Sequence, residues 1–112
     1  MYKAKGKKFS ANGISIKFVF DIAKVIEYGE QFIILLDVPA GDDTINNIFC
    51  FNADLSVAWR AERLEAKYPI IKKYPYVGIE LGKDELIAYD FLGRRFSINL
   101  SDGKINGYTA GK

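Results

Sequence analysis

Apolar and polar residues alternate with a period of two along most of this chain. Ile14, Ile16, Phe18 and Phe20 are interleaved with Ser15, Lys17 and Val19, which is the pattern of a strand with one buried face. Asn12-Gly13 supplies a turn in front of it. Val25 to Tyr28 and Gln31 to Asp37 form a second pair of strands joined at Gly29-Glu30, where glycine accepts the positive φ of a tight hairpin. The stretch QFIILLD has no polar face, so it predicts a central strand covered on both sides. Pro39, Gly41, Asp42 and Asp43 then read as an exposed loop.

Asn47 to Asn52 and Ser56 to Ala61 flank a polar turn and predict a further hairpin. AERLEAKYP loses the alternation, and its Ala, Glu, Leu and Lys favour a short helix or ordered connection that Pro69 ends. Val77, Ile79 and Leu81 resume the strand period, the GKD turn leads into Glu85 to Phe91, and Phe96, Ile98 and Leu100 alternate again. Ser101 to Gly103 turns into a last strand near Lys104 to Tyr108.

The two halves repeat each other. YGEQFIILLD (Tyr28 to Asp37) aligns without gaps to LGKDELIAYD (Leu81 to Asp90), and FCFNADLSVAW (Phe49 to Trp59) to FSINLSDGKIN (Phe96 to Asn106). Residues 21–61 and 74–108 are therefore expected to be two four-stranded antiparallel meanders of the kind that stack as propeller blades. Two blades cannot close a ring. The expectation is an all-β single domain over residues 1–112, with the meanders packed as a curved sheet or small sandwich and the strand at Ile14 to Phe20 added to one edge.

Composition narrows the chemistry. The chain has 112 residues, 49% of them hydrophobic, enough for one core. Sixteen basic against fourteen acidic residues leave a formal charge of +2, which selects no partner. There is no histidine. Catalysis by Ser-His-Asp or Cys-His activation is thereby removed, together with nearly every catalytic zinc site. Cys50, the one cysteine, can form no intramolecular disulfide and suggests a reducing compartment. MYKAKGKKFS is basic but is followed by no apolar signal core, and the longest apolar run, Phe32 to Leu36, falls far short of the roughly 20 residues a membrane span needs. A soluble, cytoplasmic protein without cofactor or membrane partner is expected.

Individual residues mostly read as structural. Asn52, Asp54 and Ser56 alternate like the first oxygen ligands of a calcium loop, but Val57 stands where that loop needs Gly and Arg63 where it needs a bidentate Glu. The stretch is read as a hairpin turn. Cys50, between Phe49 and Phe51, has no neighbour to lower its pKa. Trp59 is expected to pack and to seat its indole N–H on a carbonyl. Lys3, Lys5, Lys7, Lys8, Lys72, Lys73, Arg94 and Arg95 could track a phosphate backbone if folding gathers them beside tyrosines; alternating lysines also protect edge strands from aggregation. In YPIIKKYPY (Tyr68 to Tyr76), two Tyr-Pro pairs impose an extended backbone that presents tyrosines.

Taken together, NIFCFNADLSVAWR and YPYVGIELGKDELIAYDFLGRRFSINLSDGKI resemble a group of small bacterial all-β proteins whose motifs echo the blades of quinoprotein-like propellers. The resemblance covers about Val25 to Ile105. Without a full ring, it implies no quinone cofactor. Some proteins of similar build act as immunity partners of contact-dependent or polymorphic toxins, and the resemblance implies that role here: a non-catalytic protein that binds and neutralises a toxin domain. The expected contacts are Asp42, Asp43, Glu80, Asp84, Glu85 and Asp90 with Tyr68, Tyr74 and Tyr76. The alternative, which the small net charge of +2 disfavours, is a single-stranded nucleic-acid-binding protein using its Lys, Arg and Tyr residues.

Overall fold

The computed structural model describes residues 2–39 and 41–109. The N-terminal part holds β1 (Tyr2–Lys5), β2 (Lys8–Ala11) and β3 (Ile14–Lys17). Next come β4 (Asp21–Tyr28), β5 (Gln31–Asp37), β6 (Ile48–Phe51) and β7 (Val57–Arg60), then helix α1 (Leu64–Lys67). The last four strands are β8 (Tyr76–Leu81), β9 (Glu85–Asp90), β10 (Arg95–Asn99) and β11 (Ile105–Thr109). Each group of consecutive strands forms its own antiparallel meander, giving sheets of three, four and four strands. None closes into a barrel.

The middle sheet, β4 to β7, owes its position to β5. Five consecutive residues, Phe32 to Leu36, are buried, so both faces of the strand are covered as QFIILLD requires. Ile33 and Leu35 share a core with Ile79, Leu86, Ala88, Phe96 and Ile98 of the C-terminal sheet. Phe32, Ile34 and Leu36 belong to a second core with Phe9 and Ala11 of the N-terminal sheet. The β6 register keeps the same division, with Ile33 opposite Cys50 and Phe32 opposite Phe51. The two four-stranded meanders thus form the small sandwich expected of them, and a third sheet covers the outside of one.

That third sheet corrects the expectation for Ile14 to Phe20. The strand stops at Lys17 and pairs with β2 rather than with an edge of a larger meander. Phe18 and Phe20 continue past it as half-buried residues of the second core. Turns at Gly6 (φ 59°) and at Asn12-Gly13 (φ 53° and 79°) fold the N-terminal strands back tightly. Phe9 is fully buried with its ring 5.1 Å from Phe32 in an edge-to-face pair, a contact that fixes this sheet over the middle one. Full burial of such a side chain contributes about 1.5–3 kcal/mol.

The two four-stranded sheets are also pinned by polar groups. Asn47 is fully buried; its Nδ2 donates to Leu36 O (2.7 Å) and Tyr76 O (2.9 Å), and its Oδ1 accepts from Tyr76 N (2.9 Å). Trp59 packs in the shared core and donates its indole N–H to Leu100 O at 2.8 Å, as its position in the sequence suggests. Lys24 Nζ reaches Ile79 O at 2.9 Å. Helix α1 is the short connection expected before Pro69, held by buried Leu64. Register shifts fall between Cys50 and Phe51 in the β6–β7 pair and between Ser97 and Ile98 in the β10–β11 pair. The alignment of the two halves puts these bulges at matching positions.

Cys50 has no solvent exposure, and burial pushes its thiol up to about 11. A thiol reagent is therefore expected to label the chain in denaturant and to leave the folded chain unlabelled at neutral pH over the same interval, as followed by mass spectrometry. Rapid labelling of the native protein would contradict this packing.

Candidate functional site

One end of the sandwich gathers the loop after β5, the connection before β8 and the turn between β9 and β10. In the loop, Asp42 N donates to Pro39 O (3.2 Å), and Asp42 Oδ1 accepts from Thr44 N (2.9 Å). The bond from Thr44 N closes an Asx turn, and hydrogen bonding from Thr44, side chain then backbone, lowers the Asp42 pKa. Asp43 is exposed beside it. In the connection, the Tyr74 ring meets Phe91 edge to face at 4.6 Å.

The β9–β10 turn is built around Asp90. Its buried carboxylate accepts from Leu92 N (3.1 Å), Arg94 N (3.1 Å) and Arg94 Nε (2.7 Å). Arg94 also donates from Nη2 to Lys72 O (2.7 Å) and lies over the rings of Tyr74 and Phe96. Gly93 at φ 83° completes the turn. The ionic anchor faces inward, and Phe91 and Leu92 at the tip face outward with 63% and 51% exposure. On β8 a bulge between Tyr76 and Gly78 adds a residue to the strand. The bulge turns Tyr76 into the core and leaves Val77 60% exposed.

These parts enclose a cleft of about 440 Å³ lined by Val38, Pro39, Asp42, Tyr74, Val77 and Phe91, among others. It is an apolar hollow with one carboxylate at its edge. A second cleft on the far side of the loop shares Asp42 and adds Asp43, Phe18, Val19 and Arg60. Among the described residues, no group of three or more Cys, Asp or Glu is placed to hold a metal ion.

The nine expected contact residues are distributed unevenly. Asp42, Asp43 and Tyr74 come together at this end. Tyr76 and Asp90 require correction, since both are buried, at 3% and 2% exposure, and offer nothing to a partner. The Tyr76 hydroxyl has no hydrogen-bond partner among the described residues, and burial, then the Asp90 carboxylate, raise its pKa. Glu80 and Glu85 lie on the outward side of the C-terminal sheet, where Tyr89 Oη donates to Glu80 Oε2 at 2.6 Å and Ser97 Oγ bonds Glu85 Oε1. The Glu80 contact raises the Tyr89 pKa. Asp84 sits at the opposite end with Tyr28 and Gln31. Tyr68 is half-buried against Tyr108, rings 4.9 Å apart.

Val77, Phe91 and Leu92 are the contact candidates that sequence reading missed. For two of them a signal was present: DFLGRR puts Phe-Leu at the tip of an Asp-to-Gly turn, where polar residues are the rule. The bulge that exposes Val77 left no such mark.

Fold and site together define an all-β protein of three stacked meanders with an apolar, partly acidic hollow at one end. A family model described as a domain of unknown function, DUF7957, matches residues 1–109, and the chain belongs to that family. The match includes the N-terminal meander, which the resemblance noted from Val25 onwards leaves outside. No curated protein matches the chain. No helix among the described residues is long and apolar enough to cross a membrane.

Proposed function

We propose that the chain acts by binding a protein, without catalysis, through the end formed by Tyr74, Val77, Phe91 and Leu92. The observation that carries this reading is the exposure of Phe91 and Leu92 at the tip of a turn whose base is a buried ion pair. Large apolar groups already held in place lose little freedom on contact, so their burial converts efficiently into affinity. Soluble chains rarely leave such groups in one patch without a use for them. Asp42 and Asp43 beside the hollow suit a partner that brings a basic side chain next to its apolar one. The absence of histidine from the whole chain agrees with a role that needs no acid–base chemistry.

The sharper form of the proposal is the immunity role implied by the resemblance, with a toxin domain seated on this end. Co-expression with a toxin-like product of the neighbouring reading frame tests it. Growth should be rescued by the native chain and not by Phe91→Asp, whose loss of stability should stay within about 1.5 kcal/mol, the worth of its edge-to-face contact with Tyr74, because the side chain is otherwise exposed. No rescue and no complex would remove the immunity role.

A further inference from the structure

The N-terminal meander has an inward face that makes the second core and an outward face of a different kind. Its register places Lys5 opposite Lys8 and Lys8 opposite Lys17, so three lysines stand in one row across three strands. The next row on that face is Lys3, Ser10 and Ser15, with the two serine hydroxyls 2.8 Å apart. All four lysines are exposed. Among the described residues no carboxylate lies within ion-pair distance of any of them; Asp21 pairs with Lys7 in the adjoining turn at 3.7 Å. A cleft of about 640 Å³ lies at the end of the face nearest the Gly6 turn, lined by Lys5, Lys7, Lys8, Ile16, Lys17 and Asp21, among others.

Like charges directly opposite on neighbouring strands destabilise a sheet. Edge protection requires lysine on the outermost strand, whereas Lys8 lies on the central one. The row is therefore an unrelieved repulsion that a polyanion would neutralise. The chemistry of the face selects among polyanions. Protein interfaces are poor in lysine and rich in aromatic residues, and this face has no aromatic side chain. Single-strand binding also relies on aromatic rings as stacking platforms. Tyr2, the one tyrosine of this sheet, stacks inward on Phe9 at 5.5 Å. Stable attachment to a membrane needs an apolar or lipid anchor besides basic charge, and the rows contain only lysine and serine. A row of three charges about 4.8 Å apart across the strands, with a fourth, Lys3, about 6.8 Å further along β1, suits a run of closely spaced phosphates.

We propose that the outward face of the N-terminal meander docks the phosphate backbone of duplex nucleic acid, independently of sequence and of the apolar end. Four phosphate contacts predict a slope of log K against log salt of about −3.6, so affinity should fall on the order of 100-fold between about 50 and 200 mM salt.

Fluorescence anisotropy with labelled duplexes of about 20 base pairs, DNA and RNA, measures that slope, with a single strand of equal length and phosphatidylserine vesicles as parallel probes. Duplex binding with the stated slope, reduced by about 0.9 in Lys8→Gln and lost when Lys3, Lys5, Lys8 and Lys17 are all changed to Gln, supports the proposal. Thermal unfolding controls for the fold, and Lys8→Gln should unfold no lower than the native chain because the repulsion is relieved. Absence of duplex binding at low salt, binding that survives the fourfold substitution, or binding confined to the single strand or to vesicles would each overturn it.

Discussion

Replacing Asn47 by alanine is expected to cost about 3–5 kcal/mol. Asn47 supplies both donors and its acceptor to Leu36 O, Tyr76 O and Tyr76 N, and has no exposure to water. Truncation leaves those three backbone groups buried without partners. Each such group costs about 1–3 kcal/mol, reduced where the structure relaxes around it. Because the residue ties the end of β5 to the start of β8, the loss falls on the seam between the two four-stranded sheets. Asn52→Ala is the natural comparison. Asn52 bonds Gln31 and Ser56 side chains near the surface, where water replaces them, and should lose no more than about 1 kcal/mol. Urea denaturation of both variants, at unchanged m-value, measures the contrast. Equal, small losses would show that Asn47 is not the clamp between the sheets.

Gly103→Ala should be the second severe change, at about 2–4 kcal/mol. The residue has φ +77°, and an added Cβ would lie 2.6 Å and 2.9 Å from ring carbons of Trp59 and 3.0 Å from Arg60 O. Trp59 cannot yield easily, since its indole is bonded to Leu100 O and packed in the core. Gly13 separates the two causes: its φ is +79°, but nothing lies within 4 Å of its added Cβ. Gly13→Ala carries the conformational strain alone, about 1–2 kcal/mol, and the excess at Gly103 measures the fit of the β10–β11 turn against Trp59. If the two variants lose the same amount, the close approach contributes nothing.

The parts of this fold that could be read from the sequence are those where one strand settles the matter by itself. QFIILLD has no polar face and had to be central, and Trp59 had to find a carbonyl for its indole. The N-terminal meander was hidden because each of β1 and β2 carries only two inward apolar or aromatic residues, Tyr2 with Ala4 and Phe9 with Ala11. Such short patterns cannot be told from a solvated arm until the uncovered face of β5 calls for a cover. The candidate site was half legible. The loop at Asp42 and the Tyr74 connection are what the repeated halves do not share, and they do meet. Residue type misplaced Asp90 and Tyr76, because a carboxylate that anchors a turn and a tyrosine turned inward by a bulge look the same in sequence as exposed ones. The bulge at Val77 breaks the period-two rule that put Val77 and Ile79 on one face.

We propose that the hollow between Tyr74, Val77 and Phe91 holds a protein. It is tested most directly by purifying the native chain and a Val77→Asp, Phe91→Asp double variant side by side from cells that naturally make the chain, with both shown to be folded at the temperature of the purification. The native chain should retain a protein in stoichiometric amount, and the variant should not. Retention of the same protein by both, or of none by the native chain, would contradict it.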